Sequence, residues 1–378
     1  MPFTKIQRAM IRGLLAVFVA AGSFAASHDE PRVVSVAPWP EADALFHRDP
    51  RWLGSDCAYS IDLGGGRVLW LFGDTFVATS DAYKRRESKM PRNTVALQRG
   101  YDPAKADMQF YWNRRDGAPA SFFPDEDWGW YWPGGGIRLD DRLLLFLVKV
   151  RRTGDGMFGF AAIGTSAVAI DNPDETPDRW HLRMTEVPPN DYNVMVGSGS
   201  VLRAGDQVLA FGSVEPGPGH NIFLVRWPLA AVRRLDFAAT EWWDATAGRW
   251  TLQRELSARP VPVFGNAQTE FSVHRDARSG RFIEIQTRGF GGADLAFRSA
   301  PAPTGPWSAP QSFHRPAESS LPRVLVYAGK AHPELTGADL VVTYATNTDW
   351  DRCLDDPAIY YPRILKVTLD AAAPKVAP

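Results

Sequence analysis

A short apolar strand, a tight polar turn and a second, strongly hydrophobic strand recur five times along this chain. The second strands are the clearest part of the pattern, and they lie at 67–74, 142–148, 207–212, 281–286 and 339–344. Their starting positions are 75, 65, 74 and 58 residues apart. Similar hairpins at such spacing indicate one repeated unit that buries its apolar faces against its neighbours. Five all-β units of this size predict a five-bladed β-propeller, whose innermost strands surround a central pocket.

The five hairpins follow one another without a linker or a low-complexity tract between them. We place the first four blades at about 51–115, 128–190, 193–255 and 262–315, and the fifth begins near Leu325. Residues 26–50 contain several prolines, and we interpret them as an extended leader. The pattern therefore predicts one all-β domain over residues 51–370.

The first 25 residues have the pattern of a secretory signal peptide. Lys5, Arg8 and Arg12 form a basic start, residues 13–21 are apolar, and residues 23–25 resemble a cleavage site. An uncleaved membrane anchor is the alternative, although the apolar run is short for crossing a bilayer. We expect a periplasmic or secreted protein.

The balance of charge argues against two classes of partner. Three of the 42 Lys and Arg residues lie in the first 25 positions, so the remainder carries 39 against 43 Asp and Glu, a formal charge of −4. A mildly acidic chain is not expected to bind nucleic acid or an anionic membrane surface. No later segment is apolar enough to span a membrane. We also expect the protein to be a monomer.

The two cysteines, Cys57 and Cys353, lie in the first unit and after the last one. A propeller brings its two ends together, so these residues could be neighbours in space. In an oxidising compartment a disulfide between them would close the ring. The chain-entropy model assigns such a long loop about 4–5 kcal/mol of stabilisation. Two unpaired, buried cysteines are the alternative.

Strand pairing in the first hairpin places two acids together. If the hairpin folds about Gly65, paired residues have numbers that sum to 130, and Asp56 lies opposite Asp74. Opposed side chains have Cβ atoms about 4.5–5.5 Å apart. Two carboxylates at that distance repel each other, so the pKa of one should be raised. A one-residue slip in register would separate them.

The fourth and fifth units supply further polar candidates. Glu270 stands at the start of the inner strand of the fourth unit, and it could be a third carboxylate in the pocket or a solvated strand end. In the fifth unit, Lys330 and His332 are two residues apart and therefore face the same side. His332 could bind a substrate hydroxyl or be structural, and Lys330 could hold an acidic partner ionised.

Aromatic residues dominate the second unit. Trp130 and Trp132 precede a proline and three glycines, and indole faces suit the C–H surfaces of sugars. The same residues could instead belong to the core. Asn93 and Asn347 are further candidates for binding sugar hydroxyls.

Several catalytic signatures are absent from the sequence. There is no Gly-x-Ser-x-Gly elbow, no phosphate-binding loop and no dinucleotide fingerprint, so we expect no required cofactor. The seven histidines do not have the spacing of a transition-metal site, whereas a structural calcium ion held by oxygens from separate blades remains open. Converging carboxylates lined by aromatic residues fit glycoside hydrolysis of an oligo- or polysaccharide.

Two stretches resemble the family once called domain of unknown function 4185. They are Ser55-Asp56 with residues 69–75, and residues 327–335 with Tyr344 and Asn347. Characterised members, the endo-D-arabinofuranases, form glycoside hydrolase family 183. The resemblance covers residues 51–348 and implies a five-bladed propeller that acts on furanosides, with D-arabinan as the first candidate. It also implies that Asp56, Asp74 and Glu270 are active-site acids.

On this interpretation Asp56 is the base or nucleophile, Glu270 is the general acid, and Asp74 tunes the pKa of Asp56 or orients the sugar. The alternative couple is Asp56 with Asp74. Two other function classes remain: a non-catalytic glycan-binding propeller, and a polysaccharide lyase that uses Lys330 and Arg288 near a uronate.

Overall fold

The structure, a computed structural model, describes residues 30–156, 159–215, 219–289 and 293–370. The predicted signal peptide, residues 1–25, lies outside the described residues. The described part is all-β, as predicted, and contains five antiparallel sheets of four or more strands. We number them sheet 1 to sheet 5 in the chain order of their first strands.

Each sheet starts from the first strand of its hairpin, which we call the inner strand, and further strands are added outwards; the outermost strand of sheet 5 comes from the N-terminal segment. The strands of sheet 1 are Tyr59–Gly64, Arg67–Phe72, Thr94–Arg99 and Asp107–Tyr111. Those of sheet 2 are Trp130–Leu139, Arg142–Arg152, Phe160–Ile170 and Leu182–Glu186. Those of sheet 3 are Val194–Ala204, Gln207–Val214, His220–Pro228, Glu241–Asp244 and Arg249–Leu252, with Phe264–Ala267 also paired to the third. Those of sheet 4 are Phe271–Arg275, Phe282–Arg288, Asp294–Ala300 and Gln311–His314. Those of sheet 5 are Leu325–His332, Leu340–Asn347, Arg363–Asp370 and Arg32–Pro38.

Smaller elements decorate the sheets. Trp52–Ser55, Thr75–Ala78 and Ser88–Lys89 form a three-stranded sheet, and Asn113–Arg115 pairs with Ala118–Ala120. The α-helices are Pro40–Asp43, Leu229–Arg233 and Trp350–Asp355, and the 3₁₀-helices are Ala44–His47, Arg85–Glu87, Pro177–Arg179, Gln253–Glu255 and Ala317–Ser320. Over the described ranges, none of these helices has the length and apolar character needed to cross a bilayer.

The five hydrophobic segments predicted from the sequence are the second strands of the five sheets. Their side chains are buried on both faces, as Leu69 and Trp70 on adjacent positions of sheet 1 show with no exposed surface. Burial on both faces explains why these strands read as continuous apolar runs instead of alternating polar and apolar residues.

Apolar clusters fill the spaces between neighbouring sheets and connect the last sheet to the first. The clusters join Leu69 to Leu145, Phe146 to Val208, Phe211 to Phe271, Ile285 to Val342, and Trp70 to Ile364. The inner strands also contact one another in the order of the sheets, including sheet 5 against sheet 1. The sheets therefore form a closed ring around a central axis.

Glycines let the inner strands approach closely near this axis. A Cβ atom on Gly135 would lie 1.9 Å from the carbonyl oxygen of Gly199, so sheets 2 and 3 could not keep this spacing with any larger residue at position 135. Glycine is also required in the first hairpin, where Gly65 has a φ of 62° in the turn.

The N-terminal segment is part of the fold and not a separate leader. Arg32–Pro38 pairs antiparallel with Arg363–Asp370 and forms the outermost strand of sheet 5. The following residues are helical, over Pro40–Asp43 and Ala44–His47. The ordered domain thus begins before residue 51, where we had placed its boundary. Sequence pattern did not reveal this pairing because the two strands lie more than 300 residues apart.

The first hairpin has the predicted register, with Tyr59 opposite Leu71 and Ile61 opposite Leu69. Sheet 1 nevertheless starts only at Tyr59, because Cys57 and Ala58 adopt left-handed conformations with φ of 64° and 53°. Asp56 and Asp74 therefore lie just beyond the paired residues of sheet 1, between the Tyr59–Leu71 pair and the Ser55–Thr75 pair, and both of these pairs keep the predicted register.

The predicted disulfide is not present. Cys57 and Cys353 are both buried and unpaired. Cys57 packs with Tyr59 and Leu71 between sheets 1 and 2, whereas Cys353 packs with Leu53 and other residues of a different apolar cluster. The two thiols serve separate parts of the core, so the ring is closed by strand pairing instead.

Candidate active site

A cavity of about 240 Å³ lies at one end of the central axis, and three carboxyl groups line it. Two of them, Asp56 and Asp74, lie at the open end of the first hairpin, before its first strand and after its second strand. The third, Glu270, directly precedes the inner strand of sheet 4. We call this cavity the upper pocket. The structure thus brings together the three acids that the sequence singled out.

Local backbone geometry positions Asp56. The left-handed residues Cys57 and Ala58 turn the chain sharply, and the amide of Ala58 donates to the carbonyl of Asp56 at 2.9 Å. The Asp56 carboxyl then lies over Gly73, where a Cβ atom would be only 2.4 Å from Asp56 Oδ1. The Gly-Asp sequence at 73–74 therefore has a steric reason: the glycine leaves room for the neighbouring acid.

The partner of Asp56 is a neutral phenol. Tyr327 donates its hydroxyl hydrogen to Asp56 Oδ2 at 2.8 Å. The pKa of Asp56 is raised to about 7, chiefly by burial and also by the negative charges of Glu270 and Asp74, while the hydrogen bond from Tyr327 and the charge of Lys330 oppose the shift. Asp56 can therefore hold a proton near neutral pH.

Asp74 has both oxygens engaged. Arg92 Nη1 lies 3.1 Å from Oδ2, and Trp132 donates its indole N–H to Oδ1 at 3.0 Å. Burial raises the pKa of Asp74, and the charge of Arg92 and the hydrogen bonds from Trp132 and Arg92 counteract this. Asp74 is held in place by these contacts and connects the first hairpin to sheet 2.

Glu270 is paired with a buried cation. Lys330 Nζ lies 2.7 Å from Glu270 Oε2, and the Lys330 side chain is only 1% exposed. The same ammonium lies 4.4 Å from the ring centroid of Tyr59, whose hydroxyl donates to the carbonyl of Ser198 at 2.6 Å. These contacts link sheets 4, 5, 1 and 3 across the axis.

Tyr59 and Lys330 separate the upper pocket from a second cavity of about 340 Å³, which we call the lower cavity. Tyr59 lines both, whereas Lys330 lines only the lower one. Lys330 is thus a floor residue that reaches up to Glu270, and it does not contact the upper pocket as the predicted substrate ligand would.

His332 does not reach the upper pocket either. Its Nδ1 is 2.5 Å from Ser60 Oγ and its Nε2 is 2.7 Å from Thr343 Oγ1, so both ring nitrogens have protein partners. It lines the lower cavity, and burial lowers its pKa to about 3, so the ring is neutral. His332 is a structural residue, which corrects its predicted role in substrate binding.

Two other predicted ligands are buried elsewhere. The Asn93 amide donates to the carbonyls of Phe123 and Tyr131 and accepts from the amide of Phe123, so its polar atoms are used to hold a loop. Trp130 is buried, with the Arg92 guanidinium 4.6 Å from its ring. Neither lines the upper pocket. In contrast, Trp132 and Asn347 do line it, as predicted.

The sequence missed several residues of the upper pocket. Tyr327 comes from the inner strand of sheet 5, and Tyr360 comes from the connection between the second and third strands of that sheet and donates to the carbonyl of Asp74 at 3.0 Å. Glu215 and His220 come from sheet 3 and the loop beside it, and both contact the hydroxyl of Thr269. Tyr327 lies in the stretch 327–335 that carried the family resemblance, and no sequence signal identified the other residues.

Among the residues the structure describes, no group of three or more His, Cys, Asp or Glu side chains could hold a metal ion. A calcium site built from carbonyl oxygens stays a prediction.

Comparison with known families gives one match that spans most of the chain. A family model described as domain of unknown function 5005 matches residues 41–363. The chain belongs to this family. The resemblance to domain of unknown function 4185 had suggested another family, and the match does not support that assignment. No curated protein sequence matches this member of the 5005 family.

Solved structures share the fold of this family member. A crystal structure of a candidate hydrolase from Bacteroides ovatus superposes with a TM-score of 0.67, at 16% identity over 88% of this chain and 90% of that one. A family 117 glycoside hydrolase from Zobellia galactanivorans gives a TM-score of 0.49 at 10% identity, over 92% of each chain. The catalytic domain of a family 62 α-L-arabinofuranosidase from Coprinopsis cinerea gives 0.47 at 10% identity, over 84% and 92%. At these identities the first likeness shows a common fold, and we draw no function from any of them.

Proposed function

We propose that this protein is a glycoside hydrolase whose active site is the upper pocket. The observation that carries the proposal is the contrast between two of its carboxyl groups. Asp56 is desolvated, touches a neutral phenol and has its pKa raised to about 7, whereas Glu270 is paired with the buried ammonium of Lys330. One acid that can hold a proton near neutral pH, beside a second carboxyl group held in an ion pair, is an arrangement suited to acid–base cleavage of a glycosidic bond.

The roles follow from these surroundings. Asp56 carries a proton and donates it to the oxygen of the leaving group as the C–O bond breaks. Glu270 is the carboxylate that either removes a proton from an attacking water molecule or attacks the anomeric carbon itself. This exchanges the roles that the sequence alone suggested. Asp74, fixed by Arg92 and Trp132, contributes negative charge that raises the pKa of Asp56.

The remaining pocket residues suit a sugar. Trp132 presents an indole ring in the pocket wall, and Asn347 supplies an amide that can bind hydroxyl groups. This mechanism uses only the chemistry of the carboxyl groups in the pocket, and it needs no cofactor. The support for this mechanism comes from the geometry of the upper pocket and not from the fold, because one fold can host many functions.

Several finer points belong to the same proposal. The closed ring of five sheets supports a five-bladed β-propeller. The family resemblance and the pattern of the first 25 residues suggest a periplasmic or secreted enzyme that acts on furanoside-containing glycans. D-Arabinan is therefore the first polymer to test, with arabinogalactan and fructan beside it.

The assignment of roles can be tested with Asp56→Asn and Glu270→Gln. Both variants should lose natural glycan hydrolysis by about 10²–10⁴-fold, the usual contribution of a positioned acid or base. On an activated 4-nitrophenyl glycoside, whose leaving group needs no proton, Asp56→Asn should recover much of its bond-cleaving rate, whereas Glu270→Gln should not. Recovery in the Glu270 variant alone would reverse the two roles.

The non-catalytic alternative makes a different prediction in the same assays. A glycan-binding propeller would bind a polymer with equal affinity in the wild type and in Asp56→Asn, and the wild type would release no sugar. That result would refute the proposed hydrolase.

A further inference from the structure

The upper pocket is closed at its lower end. The Tyr59 ring spans the axis, its hydroxyl bonds to the carbonyl of Ser198, and the Lys330 ammonium lies against the ring. Tyr59 is 6% exposed and Lys330 is 1% exposed, so this layer is well packed. A glycan chain therefore cannot pass along the axis, and it must enter and leave through one opening.

The reacting carboxyl group lies close to this closed end. Glu270 is bonded to the floor residue Lys330, which fixes its carboxylate near the bottom of the pocket. A glycosidic bond that reaches Glu270 can have only a short piece of glycan beyond it. In an open cleft, by contrast, the chain would continue on both sides of the acids.

The size of the pocket limits that piece further. Its volume of about 240 Å³ is below the roughly 300–1,000 Å³ typical of sites for drug-sized ligands. Aromatic side chains form one wall of this space, where the rings of Trp132 and Phe160 are 4.7 Å apart. A space of this size suits a single sugar ring.

The charge of the pocket excludes acidic sugars. The described residues that line it include four acids, Asp56, Asp74, Glu215 and Glu270, but no Lys or Arg. The adjacent cations Arg92 and Lys330 are already paired with two of these acids. The internal segments outside the described residues, 157–158, 216–218 and 290–292, contain no charged residue. A carboxylate, sulfate or phosphate on the sugar would meet only like charge and no compensating cation.

We infer that the upper pocket binds one uncharged terminal sugar and that the enzyme releases monosaccharides from chain ends. This inference rests on the proposed hydrolase function and narrows it, because an endo-acting enzyme would need room for sugars on both sides of the bond. It also disfavours the lyase alternative, which requires a cation beside a uronate.

The experiment compares products from three substrates with the full-length enzyme. The first is a series of neutral oligosaccharides of increasing length, taken from the glycan class that the enzyme cleaves fastest. The second is the same series with its non-reducing ends blocked by methylation. The third carries a terminal uronic acid. Products are separated over a time course by anion-exchange chromatography.

The expected result is that monosaccharide appears as the first product from the unblocked series, and that blocked or uronate-capped chains react at least 100-fold more slowly. Early release of oligosaccharides, with equal rates on the blocked series, would overturn the inference and leave the hydrolase proposal intact. Rapid cleavage of the uronate-capped chain would overturn its charge selectivity. Failure to cleave any glycan would instead refute the proposed function, and the inference with it.

Discussion

Lys330 Nζ lies 2.7 Å from Glu270 Oε2 in the floor of the upper pocket, and these two residues come from different sheets. The pair places a positive charge below one carboxylate, whereas the Asp56 carboxyl accepts a hydrogen bond from the uncharged Tyr327 hydroxyl at 2.8 Å. The two acids of the proposed mechanism therefore have different partners, and this difference leads to the first prediction.

Replacing Lys330 by Met should impair both stability and catalysis. Breaking a buried ion pair costs about 3–5 kcal/mol when one charge is left unpaired, and the partial exposure of Glu270 places the expected loss at the lower end. Glu270 would also lose the contact that fixes its carboxylate, and misplacing a catalytic group by about 1 Å can reduce the rate 100-fold, so kcat should fall by up to about that factor. Thermal unfolding and steady-state kinetics measure the two effects.

The matched control is Lys105→Met. Lys105 pairs with Asp102 at 2.9 Å, but its side chain is 84% exposed. Exposed pairs contribute about 0–1 kcal/mol, so this variant should keep the wild-type melting temperature and kcat. Equal effects in both lysine variants would show that the Lys330–Glu270 contact has no special role.

Replacing Asp56 by Asn should abolish activity and stabilise the protein above neutral pH. The pKa of Asp56 is about 7 in the folded chain against 3.8 for an ordinary Asp. Between these values the folded state binds more protons than the unfolded state, so the free energy of unfolding falls as pH rises. Asn avoids this penalty, and at about 1.4 kcal/mol per pKa unit we expect a gain of up to roughly 4 kcal/mol at pH 8 and almost nothing at pH 4.

Chemical denaturation at the two pH values tests this prediction without any substrate. A variant less stable than the wild type at pH 8 would show that Asp56 makes a net favourable contribution to the fold, contrary to its role as a functional acid.

Replacing Tyr327 by Phe should shift the basic limb of the pH profile. On the proposed mechanism Asp56 must be protonated, so wild-type kcat/KM declines as pH rises through about 7. The Tyr327 hydrogen bond lowers the pKa of Asp56, and its removal should therefore move the limb to higher pH. A shift to lower pH would contradict the assignment of Asp56 as the acid.

Replacing Gly73 by Ala should displace the Asp56 carboxyl. The added Cβ would lie 2.4 Å from Asp56 Oδ1 and 2.8 Å from the sulfur of Cys57. Misplacing a catalytic group by about 1 Å can reduce the rate 100-fold, and we expect a loss of kcat of that order. Gly154→Ala is the control, because the Cβ there meets nothing within 4 Å and activity should be unchanged.

Asn93 and Asn347 should respond differently to replacement by Ala. Asn93 has three buried hydrogen bonds to Phe123 and Tyr131, so its loss should lower the melting temperature while KM stays constant in the remaining folded enzyme. Asn347 lines the upper pocket, and its loss should raise KM with little effect on stability. Kinetics and calorimetry on both variants separate the structural residue from the binding one.

The sequence predicted the fold well because strand periodicity is a local property. The five apolar segments are the second strands of the five sheets, and folding the first hairpin about Gly65 gave the observed register of Tyr59 with Leu71. The same local reasoning brought Asp56 and Asp74 to one end of that hairpin. It failed at Arg32–Pro38, whose partner strand is at the other end of the chain.

By itself, then, the sequence determined which segments become strands and which acids are candidates, since both depend on neighbours within a single hairpin. Only the tertiary structure decided what those candidates touch. Ala328 adopts a left-handed conformation with a φ of 59°, and the strand register shifts there, so Tyr327 faces the upper pocket while Lys330 and His332 face the lower cavity. Such a shift, and the meeting of Lys330 with Glu270 across the axis, depend on how the sheets close into a ring, and no periodicity along one strand encodes that.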